Sequence, residues 1–168
     1  VPVTPSGQVR RMIALAGCAQ PSMYPNINGA TQRVLARLGI HLFEAPEAGC
    51  CGAVRLHLND AAGARAAARR NIDAWWPQLE SGVEAIVITA SGCGVQVKDY
   101  GHLLQDDPAY AARATRIAEL TRDISELLPE LVEPLKKKLA LPRPAGERGG
   151  GASSSSAQRV VRLAYHPP

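Results

Sequence analysis

Aromatic side chains are scarce: one Phe, two Trp and four Tyr make up 4% of the 168 residues. The core is therefore expected to be aliphatic. The basic residues also lack the interleaved stacking side chains of a nucleic-acid surface. No apolar run approaches the roughly 20 residues of a membrane span. The opening Val1-Pro2-Val3-Thr4-Pro5 lacks the charged and then apolar pattern of a secretion signal. The first residue is not Met, so the chain is expected to begin within a longer protein. There is no GxGxxG fingerprint and no phosphate-binding GxxxxGK loop, so nucleotide binding has no direct support. No Ser/His/Asp set or carboxylate pair stands out, so no catalytic residue is assigned.

The remaining composition fits a globular domain with one core: 46% hydrophobic, 20% charged, net charge +4 and pI about 9.1. Arg65, Arg69, Arg70, Arg113 and Arg116 fall in helical patterns, and Lys136-Lys137-Lys138 is one short run. They read as solvated helix faces. With no secretion signal, the four cysteines point to metal binding or redox chemistry rather than disulfides.

Residues 1–10, with two prolines and a glycine, read as a linker. Arg11–Ala16 is an apolar run that predicts a buried strand ending at Gly17-Cys18. Pro21 and Pro25 predict an extended loop. Asn26 or Asn28 is expected to cap a helix over Gly29–Leu38, which Gly39 stops. Ile40–Ala45 predicts a second strand. Asn59 or Asp60 is expected to cap a long Ala/Arg-rich helix, broken or kinked at Pro77. Within it Trp75 and Trp76 read as core and boundary residues. Glu84–Ala90 is the clearest strand, rich in β-branched residues. From Val95 to about Leu139 the pattern is helical, interrupted at Pro108, Pro129 and Pro134, with Asp107-Pro108 as a helix start. Residues 141–158 hold a Gly triplet and four consecutive Ser and read as a flexible insertion. Arg159–Tyr165 predicts a last strand. This alternation predicts an α/β fold, a Rossmann-like parallel sheet with covering helices, with the main domain at 11–140.

Every cysteine follows a predicted strand: Cys18 the first, Cys50 and Cys51 the second, Cys93 the third. In a parallel sheet these positions share the edge formed by the carboxyl ends of the strands, where open α/β sheets build their sites. Gly17, Gly49, Gly52, Gly92 and Gly94 flank the thiols, leaving backbone N–H groups room to approach sulfur. Gly49 and Gly52 also suggest a tight turn or a close backbone approach. Four thiolates can hold a 4Fe–4S cluster or a tetrahedral zinc. Ordinary buried thiols are the alternative, but four beside glycines at one edge favour a metal or cluster site. His57 reads as a ligand, a proton carrier or a helix-start residue. His166 is expected at the same edge, and His41 and His102 as structural or exposed. Lys98 and Tyr100 are expected near the site. A helix starting after Cys93 would aim its N-terminus at a thiolate or a negatively charged cluster.

Gly17-Cys18, Ala48-Gly49-Cys50-Cys51-Gly52-Ala53 and Ala90-Ser91-Gly92-Cys93-Gly94 together resemble the cysteine-rich CCG domain. That domain occurs in heterodisulfide reductase B subunits, lactate-utilisation iron-sulfur proteins and glycolate oxidase iron-sulfur subunits. The stretches between the cysteines look most like the last, from Arg11 to about Leu128. The resemblance implies Cys18, Cys50, Cys51 and Cys93 as ligands of a 4Fe–4S cluster, with zinc as the alternative. It implies electron transfer from a flavin-containing glycolate oxidase subunit, which oxidises glycolate to glyoxylate, toward a quinone or membrane-associated acceptor. The expected location is the cytoplasm or the inner face of the cytoplasmic membrane. Such families carry two repeats, and residues 159–168 resemble the first strand of a second, so the chain looks like the first repeat of a larger subunit. A related lactate-utilisation or heterodisulfide-reductase-like complex, a zinc-stabilised docking module and a thiol/disulfide catalyst are the competing readings. Gln96 stands where many CCG domains carry the second thiol of a Cys-x-x-Cys pair.

Overall fold

The computed structural model describes residues 9–139. The linker residues before Val9, the Gly/Ser insertion, the strand expected at 159–165 and His166 lie outside them. The order is β1 (Arg10–Ala14), α1 (Ala19–Met23), α2 (Asn26–Arg37), β2 (Ile40–Glu44), α3 (Ala53–His57), α4 (Ala61–Glu80), β3 (Ala85–Ile88), α5 (Ser91–Lys98), α6 (Tyr100–Leu103), α7 (Ala111–Leu120), β4 (Thr121–Asp123) and α8 (Ile124–Leu139). The four strands form one sheet in the order β2-β1-β3-β4, and every pairing is parallel. Ile13 pairs with Phe43 on one side and Ile86 on the other, and Ile86 pairs with Thr121. The expected α/β architecture is present.

Sequence pattern and burial agree strand by strand. The central strand β3 is buried along its whole length, and β1 is buried from Met12 onward. Both therefore read as continuous apolar runs. The edge strand β2 alternates, with Ile40 and Leu42 buried and His41 exposed. Side-chain alternation along the strands divides the core in two. Ile13, Leu15, Ile86 and Ile88 pack with Ile72 and Trp75 of α4, Val97 of α5, Tyr100 and Ile117. Met12, Ala14, Ala85 and Val87 pack on the other face with Leu35 of α2 and Leu127 and Leu131 of α8. Trp75 is fully buried, and Trp76 lies at the boundary beneath Arg113.

Several local expectations are corrected. Pro21 lies inside α1, where a proline in the first turn loses no helical hydrogen bond. Pro25 is the N-cap of α2, so neither Asn26 nor Asn28 caps it. Asp60 does cap α4, its Oδ1 accepting from Gly63 N at 2.8 Å. Pro77 neither ends nor breaks α4, which continues to Glu80. It sits in the last turn, where the lost bond to the carbonyl of the exposed Asp73 can be replaced by water. Pro129 and Pro134 are likewise carried inside α8. Asp107-Pro108 forms a turn, and α7 starts at Ala111. β4 falls within a stretch that reads as helical. It is three residues long, and only its pairing to the free edge of β3 defines it.

Candidate thiol site

The strand order reverses between β1 and β3: the chain goes outward from β1 to β2, then returns past β1 to β3. Ligand sites of open α/β sheets form at such a switch point. A cavity of about 350 Å³ opens there, lined by Leu15 and Ile88 from the strand ends and by Cys18, Cys50, Cys51 and Cys93. All four cysteines are free. Cys18 Sγ donates to Cys50 Sγ at 3.2 Å, and Cys51 and Cys93 line the same cavity. Cys18 is exposed and Cys51 is 3% exposed, so the set runs from solvent into the core. Among the described residues, no three His, Cys, Asp or Glu side chains stand as a preformed single-ion site. A donor set of four sulfurs spread around a cavity suits a soft, sulfur-liganded group larger than one ion.

The double-cysteine loop owes its shape to two close approaches. Gly52 has φ +91°, and a Cβ there would lie 3.1 Å from the Ala64 carbonyl oxygen of α4. Only glycine meets both conditions without strain. A Cβ on Gly49 would lie 3.2 Å from Arg70 Nη2. α4 then holds the loop's polar groups. Asn71, fully buried, accepts from Gly49 N at 2.9 Å and donates to Cys50 O at 3.1 Å. Arg70 Nη2 donates to the same carbonyl at 3.1 Å. Tyr100 accepts from Asn71 Nδ2 at 3.0 Å and donates its hydroxyl hydrogen to Cys51 O at 2.9 Å. Burial pushes the Tyr100 hydroxyl above its ordinary pKa, which keeps it a neutral donor.

Sequence reasoning missed Arg70 and Asn71 as site residues. The available signal was a polar residue in the apolar stripe of α4, where Asn71 lies among Ala64, Ala67, Ala68, Ile72 and Trp75. A second missed group holds the Cys18 end. Asn28 donates to Leu15 O at 3.1 Å and Glu44 Oε1 at 2.8 Å, and its Oδ1 lies 2.9 Å from Thr89 Oγ1. Gln20 Nε2 donates to Thr89 Oγ1 at 2.7 Å. This network joins the ends of β1, β2 and β3 beside Cys18.

The other expectations divide. Tyr100 reaches the site. Lys98 instead pairs with Glu126 at 2.7 Å. His57 lines the cavity as the exposed last residue of α3. His41 and His102 are exposed, and His41 stacks on Phe43. α5 starts earlier than expected, so Cys93 lies in its first turn. Ala90, Ser91, Gly92 and Cys93 line the cavity, and no side chain caps this helix start. Its N-terminal partial charge favours anionic sulfur there. Cys51 is held down to about 6, chiefly by the neighbouring Cys93 thiol. Cys93 is pushed up, first by neighbouring Cys51 and then by burial. Cys18 is pushed up, first by its bond to Cys50. A thiolate is the form in which cysteine binds metal or attacks.

Fold and site together define a doubly covered parallel α/β domain with four thiols from three strand ends converging at its switch point. The chain belongs to the cysteine-rich (CCG) domain family, whose model matches residues 13–98. It is 55% identical over 136 residues to the glycolate oxidase iron-sulfur subunit of Escherichia coli (strain K12), covering 81% of this chain and 33% of that protein. It is 34% identical over 122 residues to the probable glycolate oxidase iron-sulfur subunit of Bacillus subtilis (strain 168), covering 73% of this chain and 27% of that protein. It is 29% identical over 117 residues to lactate utilization protein A of Bacillus cytotoxicus, covering 69% and 46%. The chain thus spans about a third or less of the two glycolate oxidase relatives. No helix among the described residues is long and apolar enough to cross a membrane.

Proposed function

We propose that Cys18, Cys50, Cys51 and Cys93 hold a 4Fe–4S cluster and that the domain passes electrons within a glycolate-oxidising complex. The observation that carries this reading is the convergence of the four thiols on one cavity at the switch point. The names of the two glycolate oxidase relatives supply the direction. When bound, such a cluster supplies one-electron transfer. The residues of this chain provide the sulfur donors, hold their backbone, and bury one side of the site. Asn71, Arg70 and Tyr100 fix the carbonyls of Cys50 and Cys51, so the donors change position little as charge changes.

In this reading glycolate is oxidised to glyoxylate on a flavin-bearing partner subunit. This domain carries no substrate-contacting residue of that step. Electrons leave toward an acceptor such as a quinone, which sets the complex in the cytoplasm or at the inner face of the cytoplasmic membrane. Zinc would use the same four thiols for a structural or docking role. Anaerobic purification of the longer native subunit, with iron, sulfide and zinc analysis and EPR, separates the two. Iron and sulfide in cluster stoichiometry with an EPR signal on reduction is the expected result. Stoichiometric zinc with no iron signal would overturn the electron-transfer reading.

A further inference from the structure

Four polar side chains other than cysteine line the thiol cavity: Gln20, His57, Thr89 and Ser91. Three of them are held by the wall. Gln20 Nε2 donates to Thr89 Oγ1 at 2.7 Å, Thr89 Oγ1 donates to Asn28 Oδ1 at 2.9 Å, and Ser91 Oγ donates to Asp123 Oδ2 at 2.9 Å. His57 differs. Among the described residues its imidazole makes no hydrogen bond and no ion pair.

The local fold explains why this imidazole borders the cavity. α3 starts directly after Gly52, whose φ of +91° turns the chain out of the double-cysteine loop. His57 lies four residues after Ala53 and three after Val54, so the three share one helix face. All three line the cavity, and Ala53 and Val54 bring only hydrocarbon to it. Arg55 instead pairs with Asp60 at 2.8 Å. His57 is therefore the one polar group that α3 offers to the cavity. It is exposed, so it stands at the open side of a site whose inner end, Cys51, is buried.

We infer that His57 donates an imidazole N–H to the sulfur group held by the four thiols and sets how readily that group accepts an electron. The inference rests on the proposed function. Neutral imidazole carries one N–H, so it can donate without being charged. A donor at sulfur stabilises the more negative, reduced state and raises its potential. His57 is neither a ligand nor a proton carrier in this scheme; it is a tuning residue.

The test uses the longer native subunit, reconstituted anaerobically with iron and sulfide, and compares wild type with His57→Phe and His57→Gln. His57→Phe keeps a ring and removes both nitrogens, and His57→Gln keeps an uncharged N–H donor. His57→Phe should retain full iron and sulfide content and shift the reduction equilibrium about tenfold toward the oxidised form. For one electron this is about 59 mV more negative in an EPR-monitored titration. His57→Gln should stay closer to wild type. An unchanged potential in His57→Phe at full cluster content would overturn the inference. So would an equal shift in both variants, because the effect would then come from the charge of the imidazole and not from its hydrogen bond. Loss of the cluster from His57→Phe would make His57 a ligand, and the inference would again be wrong. Metal-free protein gives an independent readout: both variants should melt within about 2 °C of wild type, as expected for an exposed side chain with no partner. A larger fall would mean that the imidazole already has a partner in the protein, which also sinks the inference. If wild type takes up zinc and no iron, it is the proposed function that fails. The donor is then tested with Co²⁺ at the same thiols: His57→Phe should weaken Co²⁺ severalfold and His57→Gln should not, and equal affinity in His57→Phe and wild type overturns the inference.

Discussion

Asn71 Nδ2 stands 3.1 Å from the carbonyl oxygen of Cys50, and the Oδ1 of the same side chain accepts from Gly49 N at 2.9 Å. One buried amide on α4 thus spans the peptide unit that presents the double cysteine. An Ala-rich helix would ordinarily offer a loop only apolar contact. Here it reads the loop's backbone donor and acceptor at once, which settles the register of Cys50 and Cys51 against the sheet.

Replacing Asn71 by Leu should therefore destabilise the domain through polar groups left behind, not through lost volume. Gly49 N–H loses its partner, and Cys50 C=O keeps only Arg70. Each buried group without a partner costs about 1–3 kcal/mol. Urea unfolding of Asn71→Leu should give a lower midpoint at unchanged m-value. A midpoint equal to wild type would show that the clamp contributes nothing to stability.

Two glycines give opposite predictions. Gly52→Ala sets a Cβ 3.1 Å from the Ala64 carbonyl oxygen at φ +91° and should cost about 1–3 kcal/mol. Gly29 lies inside α2, and a Cβ there meets only Arg33 Nη1 at 3.5 Å. Gly29→Ala should stabilise by about 0.5–1 kcal/mol. Thermal unfolding of the two variants checks both signs. If both were destabilised, the helix placement of Gly29 would be wrong.

Cys50→Ser should lower bound iron and sulfide to less than half of wild type in the reconstituted longer subunit. The serine hydroxyl is a poor soft-metal ligand. The variant also removes the acceptor of the Cys18 thiol. Full cluster content after this substitution would take Cys50 off the ligand set.

Acid should weaken the fold through Asp60. Its carboxyl is held below the usual carboxylate range, first by accepting Gly63 N–H and then by Arg55. The unfolded chain therefore takes up the proton at higher pH than the folded one. The contribution is fully present above the unfolded value near pH ~4 and is lost as pH falls through and below it. Asp60→Asn can keep the helix cap but carries no titrating carboxyl. Stability measured between neutral and acid pH should fall less steeply in Asp60→Asn than in wild type. Identical slopes would remove Asp60 from the acid response.

Much of the sheet is legible in local pattern. β1 and β3 are short apolar runs because both of their faces are covered, and β2 alternates because it lies at an edge. Those patterns alone set each cysteine after a strand, and a parallel sheet then brings strand ends to one edge. The glycines around Cys50 and Cys51 likewise announce a close backbone approach, which Ala64 and Arg70 supply.

The sequence by itself therefore determined β1, β2 and β3, their covering helices and the common edge of Cys18, Cys50, Cys51 and Cys93. Apolar period, β-branching and glycine are properties of neighbouring residues, so they can be read in order along the chain. Only the tertiary structure decided the rest. Thr121–Asp123 carries no strand signal and becomes β4 because β3 has a free edge. Pro77, Pro129 and Pro134 stay inside helices that packing holds together. The pairing of Cys18 with Cys50, and the clamp of Arg70, Asn71 and Tyr100, join residues 20 to 49 positions apart. Such contacts form only when separate elements meet, and no local pattern encodes them.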